Sequence, residues 1–298
     1  MIIEVASLLS RKDNVSTTST LRIGVRAHDF GCLPADELAA RIAAHKMVCA
    51  QLAVGKAIAG VTLRPGVLNP GLAHEIGQAF HRHGVQIAVL GCYVNPIHPD
   101  PETRRSLLSL FKEHLRYARD FGAGLVALET GSVDAEYLPH LENHGESAFR
   151  QSVVSIAELV AEAERFGALV GIEGVTSHVA STPRKMRRML DAVASNNLQV
   201  VFDPVNLLSL ENHHEQERII GESFELFGDR IAAIHAKDFD IHDGQLVCVG
   251  AGLGKLRYEQ VIKFAAEQKP GISILLEGTN VREAQASRKF LCTIAEQV

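Results

Sequence analysis

The sequence predicts a single-domain α/β protein, a (β/α)8 TIM barrel. Eight short apolar runs rich in β-branched residues recur along the chain. Each is followed by a stretch with helical spacing, the alternation that builds a parallel sheet covered by helices. The first run leads into Gly24-Val25-Arg26-Ala27-His28, which lacks the glycine-rich turn of a doubly wound nucleotide-binding sheet.

The strand candidates, in order, are Leu21–Ala27, Met47–Ala53, Val85–Gly91, Leu125–Thr130, Leu169–Gly174, Leu198–Phe202, Ile231–Ala236 and Ile272–Glu277. They are near-continuously apolar, as strands buried on both faces require. Between them, Arg104–Phe121 places Leu107, Leu108, Phe111, Leu115 and Ala118 on one helical face. Over Glu146–Phe166, Val153, Ile156, Ala157, Val160, Ala161 and Ala163 form the stripe, with Glu158, Glu162 and Arg165 elsewhere. Thr182-Pro183 reads as an N-cap with proline in the first turn of a helix over Arg184–Ala194. Gly122 and Gly167 stand where helices end and a left-handed residue is wanted.

Residues 21–298 form the expected barrel, and the mostly polar stretch to Thr20 makes residues 1–20 a loosely held tail. The apolar start, Met1–Leu9, is short, contains Glu4 and has no basic residue before it, unlike a secretory signal. No apolar run reaches the roughly 18 residues of a membrane span. A formal net charge of −5 supplies no general field for nucleic acid. Five cysteines without a CxxC pair argue against a disulfide framework or zinc finger. A cytoplasmic protein without nucleic-acid or membrane partners is expected.

In a (β/α)8 barrel the chemistry sits at the C-terminal ends of the strands. Here four successive runs end on Glu173, Asp203, His235 and Glu277. Burying four such groups without partners is costly, and convergence on one divalent cation removes that cost. Three carboxylates and an imidazole suit Mn, Mg, Co or Zn. Taken singly, each could instead be salt-bridged or cap the next helix. All four in strand order favour the shared ion.

This set resembles the xylose-isomerase-like superfamily of sugar isomerases and epimerases, which also contains inosose dehydratases and abasic-site endonucleases. Further matching phrases are Ile23-Gly24-Val25-Arg26-Ala27-His28-Asp29-Phe30-Gly31, Gly91-Cys92-Tyr93-Val94-Asn95-Pro96, Glu129-Thr130-Gly131-Ser132 and His235-Ala236-Lys237-Asp238, within residues 21–295. The resemblance implies a metal-dependent enzyme acting on a small carbohydrate. It also implies that Glu173 and Glu277 act as an acid/base pair besides holding the ion, and that the enzyme is a homo-oligomer. A cation on a carbonyl and its neighbouring hydroxyl acidifies the C–H between them, and two carboxylates can then move that proton.

Two departures matter. Asp203-Pro204-Val205-Asn206 puts Asn206 where the family often has a second histidine, and asparagine is a poor metal ligand. Gly244-Gln245-Leu246 lacks the Asp-x-His that the repair enzymes carry ahead of their Gly-x-Gly loop. Both point away from a three-metal phosphodiesterase.

Other polar residues near strand ends are candidates for substrate binding. His28, Gln51 and Glu129 are read as hydroxyl-binding groups or as partners of the ligands. Lys237, two residues past His235, points the same way; it could stabilise an enediolate or bridge to Asp238. His98, between two prolines, is either a substrate contact or a turn residue, and His178 could reach substrate from the next loop. Asn206 can still bind a hydroxyl. Gly250-Ala251-Gly252-Leu253-Gly254-Lys255 matches no phosphate-loop pattern and reads as a flexible loop closing the mouth. The expected function is an isomerase or epimerase. The alternatives are a dehydratase on the same site, a repair endonuclease and a non-catalytic sugar-binding barrel.

Overall fold

The structure is a computed structural model that describes residues 21–298. The tail read over residues 1–20 lies outside the described residues. Eight parallel strands close into a barrel: β1 (Arg22–Arg26), β2 (Cys49–Leu52), β3 (Gln86–Gly91), β4 (Leu125–Glu129), β5 (Leu169–Glu173), β6 (Leu198–Phe202), β7 (Ile231–His242) and β9 (Ser273–Leu276). Each pairs with the next, and β9 bonds to both β7 and β1, which completes the ring. Every strand lies within or beside an apolar run named above.

The helices are α1 (Ala35–Ala44), α2 (Val54–Ala57), α3 (Pro70–Arg82), α4 (Pro101–Tyr117), α5 (Glu146–Phe166), α6 (Pro183–Val193), α7 (Gln216–Phe227), α8 (Glu259–Glu267) and α9 (Ala284–Ala295). Asp100 caps α4 by accepting from Thr103 N, and Thr182 caps α6 by accepting from Lys185 N. Gly167 ends α5 in the left-handed conformation at φ 64°. No helix among the described residues is long and apolar enough to cross a membrane.

The seventh strand departs from expectation. It runs on to His242, turns at Asp243-Gly244 and returns as the antiparallel β8 (Gln245–Gly250). Both turn residues have positive φ, 49° and 70°. Asp-Gly between alternating apolar residues is a strong hairpin signal, because both positions suit a tight turn that follows the strand twist. The apolar run ends at Ala236 because beyond it the strand leaves the barrel wall and becomes a partly solvated ribbon.

The glycine-rich stretch after β8 is fixed by Asp238. This buried carboxylate accepts from the backbone N–H groups of Phe239 (2.8 Å), Leu256 (2.7 Å) and Gly252 (3.1 Å). Its glycines therefore serve a turn folded around an internal anion.

The barrel interior holds its own small core of Cys49, Val89, Leu125, Ala127, Val201, Ala233 and Leu275, apart from the larger core between strands and helices. Side chains alternate along a strand, so the residue two positions further on also points inward, one layer nearer the mouth. From this layer the step leads to Gln51, Glu129, Asp203, His235 and Glu277. From Gly171 on β5 it leads to Glu173.

Candidate metal centre

The alternation delivers Glu173, Asp203, His235 and Glu277 to one point. One donor atom from each lies within 4.8 Å of the others. Glu173, Asp203 and His235 are buried, and the Glu277 side chain is 14% exposed. His235 Nδ1 faces the carboxylates, 3.2 Å from Glu173 Oε1, 3.2 Å from Glu277 Oε2 and 4.0 Å from Asp203 Oδ2.

The charge balance of this cluster fits a divalent cation. Three carboxylates converge in a buried space that holds one ammonium, Lys237, 3.0 Å from both Asp203 Oδ2 and Glu277 Oε1. Burial opposes a charge on His235, yet Glu173, Glu277 and Asp203 together push its imidazole up to about 9. Burial raises the Asp203 carboxyl to about 6 against the pull of Lys237. Asp203 Oδ1 accepts from Val205 N (2.9 Å) and Asn206 N (3.2 Å), while buried Oδ2 has, among the described residues, the ion pair with Lys237 but no well-aligned hydrogen bond. A cation would satisfy this oxygen, and the donors are the oxygen and imidazole set that first-row divalent ions accept. The cluster could therefore hold such an ion.

The two glutamates differ in their surroundings. Glu277 Oε1 lies 3.0 Å from both Arg26 Nη1 and Lys237 Nζ. Burial raises its pKa, but His235, Lys237 and Arg26 outweigh burial and hold the carboxyl at about 2. Glu173 instead accepts from two uncharged groups, Asn206 Nδ2 at Oε1 (2.6 Å) and Tyr93 OH at Oε2 (3.2 Å), besides facing His235 Nδ1 at 3.2 Å.

Glu173 and Glu277 also line a cavity of about 250 Å³, together with Arg26, His28, Gln51, Lys56, Tyr93, Glu129 and Tyr137. Of the residues singled out in the sequence, His28, Gln51 and Glu129 thus reach this cavity. Lys237 and Asn206 bind the carboxylates beneath it, and Lys237 bridges Asp203 and Glu277, leaving Asp238 to the loop. His178 sits behind the wall, with Nδ1 3.2 Å from Glu129 Oε2 and its ring 4.7 Å from that of Tyr137. His98 is not brought to the cavity: its Nδ1 accepts from Asp100 N (3.1 Å) and closes the turn ahead of α4.

Tyr137 and Tyr93 are the aromatic groups that strand-end reading passes over. Tyr137 comes from the loop after β4 and has φ 64°, a left-handed conformation that costs a tyrosine of order 1 kcal/mol or more. Its N–H donates to Asp134 O (3.2 Å), and its neighbour Leu138 is held by Asp134 Oδ1 (3.1 Å) and Ser132 Oγ (2.7 Å). Asn95 Nδ2 donates to Ser132 O (2.8 Å) and Asn143 Nδ2 to Ser177 O (2.9 Å), joining the loops after β3, β4 and β5. Burial, helped by the charge of Glu173, pushes the Glu129 carboxyl beside this wall up to about 7. His178 is pushed down to about 4 by burial. Tyr93 continues the alternation of β3 past Gly91, where a Cβ would lie 3.0 Å from the Tyr93 ring.

Comparison with known proteins agrees with this architecture. A family model described as xylose isomerase-like TIM barrel matches residues 36–294. No curated protein sequence matches the chain. Among solved structures, a D-tagatose 3-epimerase-like protein superposes with TM-score 0.73 at 18% identity, covering 93% of this chain and 98% of its own. A D-psicose 3-epimerase with D-tagatose, from Clostridium cellulolyticum H10, gives 0.69 at 15% identity, covering 92% and 99%. A xylose isomerase-like TIM barrel protein from Mycobacterium smegmatis, in complex with magnesium, gives 0.70 at 15% identity, covering 94% and 97%. At these identities the superpositions establish a shared fold.

Proposed function

The chain belongs to the xylose isomerase-like TIM-barrel family, and on that premise we propose that it is a divalent-metal-dependent isomerase or epimerase of a small hydroxylated carbonyl compound, a sugar or polyol ketone. One observation carries the reading: Glu173, Asp203, His235 and Glu277 bring a ligand atom each within 4.8 Å, and two of them line the cavity. The likeness to structures described as D-tagatose and D-psicose 3-epimerases supports a carbohydrate substrate. A cavity of about 250 Å³ suits a small one.

In this reading the four residues hold one Mn, Mg, Co or Zn ion. Such a cation, when bound, polarises a carbonyl and its neighbouring hydroxyl and acidifies the C–H between them. The remaining steps fall to the chain's own groups. Glu173, held by Asn206 and Tyr93 rather than by Arg26 and Lys237, takes the proton from carbon. Glu277, flanked by Arg26 and Lys237, starts ionised; it takes a proton from a substrate hydroxyl or from solvent and, as a strong acid once protonated, passes it on to carbon. Lys237 and Arg26 also place positive charge beside the developing enediolate. Glu129, His28 and Gln51 meet the substrate's hydroxyls, and Tyr137 with His178 supports that wall.

A second reading rests on Glu129. Its carboxyl faces the same cavity and holds a proton near neutrality, as an acid protonating a departing hydroxyl would. That would make the enzyme a dehydratase of an inosose-like substrate. Proton NMR in D₂O, with Mn²⁺ and D-tagatose, D-psicose or an inosose, separates the two. Deuterium at carbon with every hydroxyl kept marks the isomerase, and loss of water marks the lyase. Glu173→Gln should lower either rate by about a thousandfold. Absence of exchange and water loss on every compound, or full activity of Glu173→Gln, overturns the assignment.

A further inference from the structure

Gln51 is buried to 1% exposure on β2, a strand that supplies none of the four candidate ligands. It stands between two of them. Its Oε1 lies 2.6 Å from His235 Nε2, and its Nε2 lies 3.1 Å from Tyr93 OH. Tyr93 OH in turn lies 3.2 Å from Glu173 Oε2. A continuous path of hydrogen bonds therefore joins two side chains of the cluster through two that are outside it.

The direction of donation along this path is forced from one end. An ionised carboxylate can only accept, so the single proton of Tyr93 goes to Glu173. Tyr93 must then accept from Gln51, which places the amide nitrogen there and turns the amide oxygen to His235. The oxygen accepts, so His235 donates from Nε2. Its Nδ1, the atom that faces Glu173, Asp203 and Glu277, is then the nitrogen that gives up its proton and offers a lone pair when a metal binds. Reversing the path would place a proton on Nδ1 and leave Glu173 Oε2 without its donor.

We infer that Gln51 and Tyr93 are positioning residues that select the metal-binding tautomer of His235 and fix the orientation of Glu173 as one connected unit. The inference rests on the metal-site reading above. Histidine ligands commonly have their second ring nitrogen held in this way, and losing the partner costs about 10- to 100-fold in metal affinity. Here the holding group is an amide, and its own orientation depends on a tyrosine bound to another ligand. Gly91 makes the arrangement possible, since a side chain there would press on the Tyr93 ring.

The test uses the full-length protein freed of metal by a chelator, with Co²⁺ as the probe. Binding is followed by titration calorimetry and by the visible absorption of the bound ion. Gln51→Met should weaken Co²⁺ binding about 10- to 100-fold and alter the absorption band. Gln51→Glu, which still accepts from His235 Nε2, should recover most of the affinity. Tyr93→Phe should weaken binding by a smaller factor, and adding it to Gln51→Met should cost little more, because coupled residues are not additive. Tyr93→Phe keeps the test open should Gln51→Met fail to fold.

Wild-type affinity and absorption in both Gln51→Met and Tyr93→Phe would overturn the relay while leaving the metal site intact. So would an affinity loss that Gln51→Glu fails to recover and that parallels a loss of metal-free stability. A wild-type protein that takes up no Co²⁺ would overturn the metal-site reading itself, and the relay with it.

Discussion

Lys237 and Asp203 form an ion pair at the base of the site, Nζ 3.0 Å from Oδ2, with both side chains buried. The same ammonium lies 3.0 Å from Glu277 Oε1. Glu173, Asp203 and Glu277 together carry three negative charges, and one divalent cation plus this ammonium balances them, with Arg26 shared between Glu277 and Asp29 at the rim. Lys237 is thus an internal counter-charge that both offsets the carboxylates and repels an incoming cation.

Lys237→Met is expected to bind Mn²⁺ about tenfold more tightly, a gain of about 1.4 kcal/mol. In the presence of chelator the same variant should be less stable by about 3 kcal/mol, because a buried carboxylate loses its partner. Calorimetric titration and urea unfolding measure the two effects. Weaker binding would mean that the ammonium orients the carboxylates more than it opposes the ion.

Metal removal should act on stability through mass action. A ligand present at about 100 times its dissociation constant stabilises the folded state by about 2.7 kcal/mol. For a chain of this size that corresponds to a rise in Tm of about 5 °C. Thermal scans with Mn²⁺ and with excess chelator should show this difference in the wild type. Asp203→Asn, which weakens the cluster, should show little of it.

His114 gives an acid-stability prediction remote from the site. It is buried in α4, its Nδ1 2.9 Å from Leu110 O, and its Nε2 has no partner among the described residues. Burial holds the imidazole below its ordinary value, against the smaller effect of the Leu110 carbonyl. The unfolded chain therefore binds the proton first. The contribution is complete above about pH 6.5 and declines as the pH falls, by at most about 1.4 kcal/mol per unit. His114→Asn, which keeps a donor for Leu110 and does not titrate, should flatten the curve below about pH 6.5. An unchanged acid limb would remove His114 as its source.

Asp238→Asn should destabilise the turn after β8. The carboxylate accepts from three backbone N–H groups, through Oδ1 from Phe239 and Leu256 and through Oδ2 from Gly252. An asparagine that keeps the first two presents its own N–H group to the third. The expected loss is about 2 kcal/mol in urea unfolding. A loss below about 0.5 kcal/mol would show that the turn holds without this anion.

How much of this was legible in the sequence depends on alternation. The eight apolar runs mark the eight barrel strands, because a strand buried on both faces has few other ways to be composed. The step from Ala233 to His235 and from Leu275 to Glu277 is the two-residue period itself, so the cluster could be read from strand ends. Tyr93 follows the same rule from Val89 through Gly91, but the apolar run stops at Gly91 and hides it. Tyr137 follows no period; the loop after β4, turned by Asp134 and Ser132, places it. The β7–β8 hairpin carried a usable signal in Asp243-Gly244, obscured because six residues of charged and apolar alternation follow a buried run.

The central claim is that Glu173, Asp203, His235 and Glu277 share one cation. Anomalous diffraction from crystals of the Mn²⁺-loaded protein tests it most directly. The expected result is a single peak about 2.0–2.4 Å from a donor atom of each of the four residues, with His235 bound through Nδ1. A crystal soaked in Mn²⁺ that shows no peak there, or one bound by other residues, would contradict it.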